Sequence, residues 1–328
     1  MRSRFAIGLV ATTALVLSAC SDADTADTAD TTGTKAEQAA GDISLVVTTT
    51  PLGSVTEQIA TCAGGTSTTL MPVNADPHDF SASSAQVADM VKADLVIANG
   101  LGLEGGLDAS LQQVEADGTE VLHVAEHIDP LPWGDHEHER AHEEEGHEGR
   151  NHGDLDPHFW LDVARMAEAA QLIGDEVAER TGDDTWSECG AEVSGELTAL
   201  DEEIREDLSV IPEERRTVVT DHEAFGYFNN AYDFHSAGVV IPGGSTEAQP
   251  SSADLASLAG VIREENVPVI FTNAAVNQTL VDALAAEVGE DVQVVSLYEG
   301  SVGPKDGPAA DYQGMMRENA RLIVEALG

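Results

Sequence analysis

The chain has 328 residues, enough for about two domains with a core each, and 42% of it is apolar. With 60 acidic residues against 15 basic ones the formal net charge is -45, which argues against nucleic acid as a partner because no basic surface is available to neutralise phosphates. The same acidity suits an exported, soluble protein that meets cations.

The N-terminal stretch "MRSRFAIGLVATTALVLSAC" places Arg2 and Arg4 before an apolar run and small residues before Cys20, the layout of a secretory signal over residues 1–20. The run is too short to be a comfortable membrane span. "LSAC" resembles the lipobox of bacterial lipoproteins, which implies cleavage before Cys20, lipidation of that residue, and an extracytoplasmic protein anchored to the cell membrane. Residues 21–41 repeat Thr-Ala-Asp with almost no large apolar side chain, so they cannot order by burial and read as a flexible tether. Cys62 and Cys189 remain. Outside the cytoplasm two thiols more often pair than stay free, the alternative being two separate buried thiols.

The folded part starts near Ile43, and a first lobe is expected over residues 42–185. "ISLVVTTT" is a β-branched run, and Pro51 then opens an amphipathic stretch, as a first-turn proline can. "SSAQVADMVKA" has helical spacing, and "DLVIANG" and "TEVLHV" read as strands. A polar, His-rich segment follows at 133–155, and "LDVARMAEAAQLIGDEVAERTG" is a helix that stops at Gly182. Residues 186–212 form one long charged amphipathic pattern with no strand inside it, read as a connecting helix. Residues 213–328 restart the alternation as a second lobe: "RTVVT", a helix, "AGVVI", "SADLASLAGVIREE", "VPVIF", "TLVDALAAEVG", "VQVVSLY" and a final helix from about Ala310. The fold class is therefore α/β, with two lobes, each a mostly parallel sheet flanked by helices, joined by one long rigid helix. In such sheets ligands sit beyond the carboxyl ends of the strands.

Three loops there carry a histidine: "NADPHDF" with His78, "DLDPHFWLD" with His158 and "VVTDHEAFGYF" with His222. In two of them Asp-Pro precedes the histidine, and a proline that fixes φ lowers the entropy lost in holding an imidazole at one angle. Imidazole suits Zn(II), which prefers four donors in a tetrahedron, so a fourth is needed. The candidate is Glu299, in "SLYEGSVG" after the last strand.

"ADPHDF", "DPHFWLD", "DHEAFGYF", "GGSTEAQPSSADLASLAGVIREENVPVIF" and "YQGMMRENARLI" together resemble the metal-binding solute receptors of zinc and manganese ABC importers, in the branch whose lobes are joined by a rigid helix. The resemblance covers essentially everything after the tether. It implies a monomeric receptor, not an enzyme, that captures Zn(II) between its lobes and delivers it to an ABC permease with its ATPase. It places metal ligands at His78, His158 and His222. Many members of the family carry Asp where this chain has Gly300, which leaves the fourth position to Glu299 or to a water. Manganese receptors of the family tend to place a carboxylate where His222 stands, so the third histidine favours Zn(II) over Mn(II).

The segment 133–155 contains "HERAH", His138 to His142, which fits the H-E-x-x-H of zinc peptidases. A peptidase needs that motif on a buried helix, and no apolar stripe surrounds it here, so the match is read as chance and the segment as a mobile loop. His136, His138, His142, His147 and His152 are instead auxiliary, weak zinc donors, or else belong to a solvated insert with no metal role. Three other readings stay open: a manganese receptor of the same family, a surface adhesin or zinc store without a transporter, and a zinc-dependent hydrolase using Glu223 as base.

Overall fold

The computed structural model describes residues 43–133, 155–243, 246, 248–273, 279–289 and 292–328. Cys20, the signal and tether assigned to residues 1–41, and the auxiliary residues His136, His138, His142, His147 and His152 lie outside them. In chain order the described residues form β1 Ser44–Val47, α1 Thr50–Cys62, β2 Thr66–Thr69, α2 Ser84–Lys92, β3 Leu95–Ala98, α3 Asp108–Ala116 and β4 Val121–His123. Two successive helices follow, α4 Val163–Thr181 and α5 Thr185–Leu208. The chain then runs through β5 Thr217–Thr220, α6 Gly226–Tyr232, β6 His235–Val239, α7 Ser252–Glu265, β7 Val269–Asn273, α8 Thr279–Val288, β8 Gln293–Leu297 and α9 Tyr312–Leu327.

The strands make two four-stranded sheets, ordered β2-β1-β3-β4 and β6-β5-β7-β8, and every pairing is parallel. Both sheets therefore wind the same way, with the first strand inside and the chain reversing direction across the sheet after the second. β3 (LVIA) and β7 (VIFTN) are buried along their whole length, as parallel strands covered by helices on both faces must be. β2 (TSTT) alternates exposed and half-buried residues at the sheet edge. The sequence reading passes over it because four hydroxyl side chains show no apolar period; backbone pairing with β1 makes it a strand.

Pro51 sits in the first turn of α1, where its missing N–H costs nothing, and α4 ends at Gly182 in the left-handed conformation (φ 70°), both as expected. α5 buries Trp186, Cys189, Val193, Leu197, Leu200, Ile204 and Leu208, a three-to-four spacing that presents one apolar face. α4 and α5 touch through their backbones: a Cβ on Gly174 would lie 2.8 Å from Gly190 Cα and 2.7 Å from the Trp186 carbonyl oxygen. A disulfide between Cys62 and Cys189 fastens α1 to α5, so the two thiols pair rather than sit apart.

One hydrophobic cluster runs from Leu45 and Val47 through Trp160, Ile173, Leu197 and Ile204 to Val218, Phe271, Met316 and Leu327, and so takes in both sheets and the two middle helices. Smaller clusters around Met90 and Val96 and around Ile262 and Ile270 cover the other face of each sheet. Among the described residues no helix is long and apolar enough to cross a membrane.

Candidate metal centre

The loop after β2 carries His78, the segment leading into α4 carries His158, the turn after β5 carries His222, and the turn after β8 carries Glu299. All four are almost wholly buried, none more than 4% exposed. The three imidazole rings surround one point, with centroids 5.3 to 5.4 Å apart in every pair. His78 Nε2 and His158 Nε2 are 3.3 Å apart. A tetrahedral zinc with nitrogens at about 2.0–2.1 Å requires donor pairs about 3.3–3.4 Å apart, so this spacing fits the ion.

Two of the histidines are aimed by an aspartate close in sequence, and the third has its backbone held by one. Asp156 Oδ1 accepts the backbone N–H of His158 at 2.9 Å and its ring Nδ1–H at 2.8 Å. Asp221 Oδ1 accepts the backbone N–H of His222 at 2.8 Å and its Nδ1–H at 2.9 Å. In both rings an Nδ1–H held by aspartate turns Nε2 towards the centre, and Nε2 without its proton is what a ligating imidazole offers. Asp76 Oδ1 accepts the backbone N–H of His78 at 3.0 Å. Asp221 is itself held by its other oxygen, which accepts from Asn273 N at 2.7 Å and Thr272 Oγ1 at 3.3 Å.

Glu299 stands differently. The donor atoms of His78, His158 and His222 all lie within 4.8 Å of one another, whereas Glu299 falls in a second such set with Asp221 and His222. Its Oε1 is 3.0 Å from His222 Nδ1, but the single proton there points to Asp221. His222 Nε2 and both Glu299 oxygens are buried with no hydrogen bond among the described residues, an expensive arrangement for polar atoms.

The charges agree with that geometry. Burial, then Asp221, push the Glu299 carboxyl well above the ordinary range, against the pull of His222. Burial also pushes Asp156 up to about 7, opposed by the His158 N–H and the charge of His222. Burial alone would lower His222, but Glu299, Asp221 and Asp76 outweigh it and raise the imidazole to about 9. Asp221, which burial would raise, is held below the usual range by His222 and the Asn273 N–H.

Pro77, Trp160, Asn273 and Gly300 complete the wall around the four residues, and the space they enclose has no room for a water-sized sphere. Trp160 leans on His158 with centroids 5.3 Å apart, and Trp133 meets its other side at 5.9 Å. Glu223 is half-buried beside His222 but contributes no atom to either donor set. The aspartates were not singled out from sequence, although their signal was present: Asp stands two residues before His78 and His158 and one before His222. The Asp-Pro pairs draw attention to their prolines, whereas the Asp oxygens do the orienting.

Residues 45–326 match the family described as zinc-uptake complex component A, periplasmic (ZnuA). The chain is 27% identical over 327 residues to the manganese-binding lipoprotein MntA of Halalkalibacterium halodurans, covering 97% of each. It is 29% identical over 299 residues to the zinc-binding protein TroA of Treponema pallidum, covering 89% of this chain and 91% of that one. The solved structure of the periplasmic zinc binding protein TroA from Treponema pallidum superposes with a TM-score of 0.75 at 26% identity, over 88% of this chain and 100% of that one.

Proposed function

The chain belongs to the ZnuA family of periplasmic zinc-uptake components, and from that premise we propose that it is an extracytoplasmic receptor, anchored through a lipid on Cys20, that captures Zn(II) and hands it to an ABC permease and its ATPase. The observation that carries this reading is the convergence of three buried imidazoles, two of them turned by Asp156 and Asp221 so that Nε2 faces a common centre. His78, His158 and His222 are the ligands in this reading, and Glu299 is the fourth donor after a side-chain rotation away from His222 Nδ1. A divalent ion at the centre would supply the positive charge that stabilises ionised Asp156 and Glu299 and would occupy the lone pair on His222 Nε2.

The relatives are named for zinc and for manganese, so the metal has to be argued from the donors. Three imidazoles with at most one carboxylate form a borderline set that suits Zn(II), whereas Mn(II) favours oxygen ligands. His136, His138, His142, His147 and His152 are proposed as weak, interchangeable zinc donors. A hydrolase is disfavoured because three histidines with Glu299 would close a tetrahedral sphere and leave no open position for a nucleophilic water. The family's own description is that of an uptake component rather than an enzyme.

Zinc titration with elemental analysis tests the proposal. One tight equivalent is expected, lost in His158→Ala or His222→Ala and unaffected by removal of residues 135–153, with excess Mn(II) failing to displace it. Displacement by Mn(II) would favour the manganese reading; retention of the tight equivalent in both histidine variants would overturn the site.

A further inference from the structure

The turn that carries Glu299 is held mainly by groups outside its own sheet. Its own lobe grips it where the Asn319 side-chain amide accepts from Tyr298 N at 2.9 Å and donates to the Tyr298 carbonyl at 2.7 Å. One residue on, the Glu299 carbonyl accepts the Trp160 indole N–H at 2.7 Å. Two residues further, Ser301, only 4% exposed, uses its hydroxyl to full capacity. Ser301 Oγ accepts from Asn74 N at 2.9 Å and from Thr50 Oγ1 at 3.1 Å, and it donates to the Val302 carbonyl at 2.9 Å. Thr50 Oγ1 in turn accepts from Val302 N at 3.0 Å.

Asn74 sits in a left-handed turn (φ 64°) that leads directly through Asp76 and Pro77 to His78. Between the two hydrogen-bonded points the loops also touch: a Cβ on Gly300 would lie 3.0 Å from Pro77 Cδ. A side chain at position 300 would press on the Pro77 ring, so the glycine there lets the two loops lie in close contact.

On the reading of the site given above, we infer that Ser301 and Thr50 are positioning residues that lock the Glu299 turn of the second lobe onto the His78 loop of the first. With the backbone pinned on both sides of Glu299, only its side-chain torsions remain free, and these decide whether the carboxylate closes the coordination sphere. The hub thereby fixes how long a captured ion stays, while the three histidines fix whether it is captured.

The test is the rate of zinc release into excess chelator from the full-length protein. Ser301→Ala is expected to accelerate release at least about tenfold, in the range seen when residues that orient ligands are lost. Thr50→Val keeps the side-chain shape and removes only the hydroxyl; it should do the same even if Ser301→Ala folds poorly, and Thr50→Ser should restore slow release. Gln58→Ala serves as control, because the Gln58–Gln313 amide pair also bridges the lobes (3.0 and 2.6 Å) without touching a ligand loop, and it should leave the rate unchanged. In a Glu299→Gln background Ser301→Ala should add nothing, because its effect passes through that carboxylate. An unchanged rate in both hydroxyl variants, or an equal acceleration with and without Glu299, overturns the inference. Absence of any tight zinc equivalent in the unmodified protein overturns the proposed function and this inference together, whereas tight binding with unaltered release overturns this inference alone.

Discussion

At the scale of single residues the centre depends on two pairs, His158 with Asp156 and His222 with Asp221, in each of which the aspartate sets which imidazole nitrogen faces inward. Asp156→Asn keeps the size of the side chain but lets its amide offer a donor to Nδ1, favouring the wrong tautomer of His158. Zinc affinity should fall about 10- to 100-fold in this variant, measured by chelator competition, with little change in the far-ultraviolet spectrum. Without metal the same residues make stability depend on pH. The folded values of about 9 for His222 and about 7 for Asp156 both lie above the ordinary ones, 6.5 and 3.8. Each group thus binds its proton more tightly when folded, and its contribution is lost as pH rises through the folded value. The melting temperature in chelator should therefore drop between pH 6.5 and 9, while the gain on adding zinc should grow over the same interval, since fewer protons compete for His222. A chelated protein whose melting temperature rises across that interval would contradict the assignment. The three histidines were legible because each occupies a short loop where a sheet protein binds its ligand. Ser301 and Thr50 were not: they are 251 residues apart, and nothing local to either signals the other.

At the scale of elements, hydrophobic period was a good guide wherever burial is one-sided or complete, as in α5 and β3, and it failed at β2, whose side chains bury little. Glycine inside a helix reads as a weakness by propensity alone. Gly174 and Gly190 are instead the contact at which α4 and α5 meet backbone to backbone. Gly174→Ala should cost about 1–3 kcal/mol through overpacking, although alanine is the better helix former, and the loss is measurable by denaturant unfolding. A more stable variant would show that the helices separate without penalty. Because α5 is also fastened to α1 through Cys62–Cys189, movement of this helix pair is constrained at two places.

At the scale of the whole molecule, two sheets of identical strand order share a single core. Domains with their own cores melt separately. Here the cluster from Leu45 to Leu327 passes through both, so scanning calorimetry should show one transition with matching calorimetric and van't Hoff enthalpies, shifted upward but not split by zinc. Two resolved transitions would mean that the shared core contributes little cooperativity. The alternation of elements made the doubled α/β plan readable from sequence; the continuity of the core was not, because it arises from α4 and α5 lying against both halves.

The closed space at the centre has a kinetic meaning as well as a structural one. An aqueous cation arrives surrounded by water, and a centre walled by buried histidines and Glu299 requires it to exchange that water for protein donors. Magnesium gives up its hydration shell reluctantly and calcium asks for six to eight oxygens, and a set of three imidazoles with one carboxylate offers neither what it would leave behind. The strong negative charge of the chain draws all divalent cations alike; the choice among them falls to how well imidazole nitrogens replace the water each ion gives up.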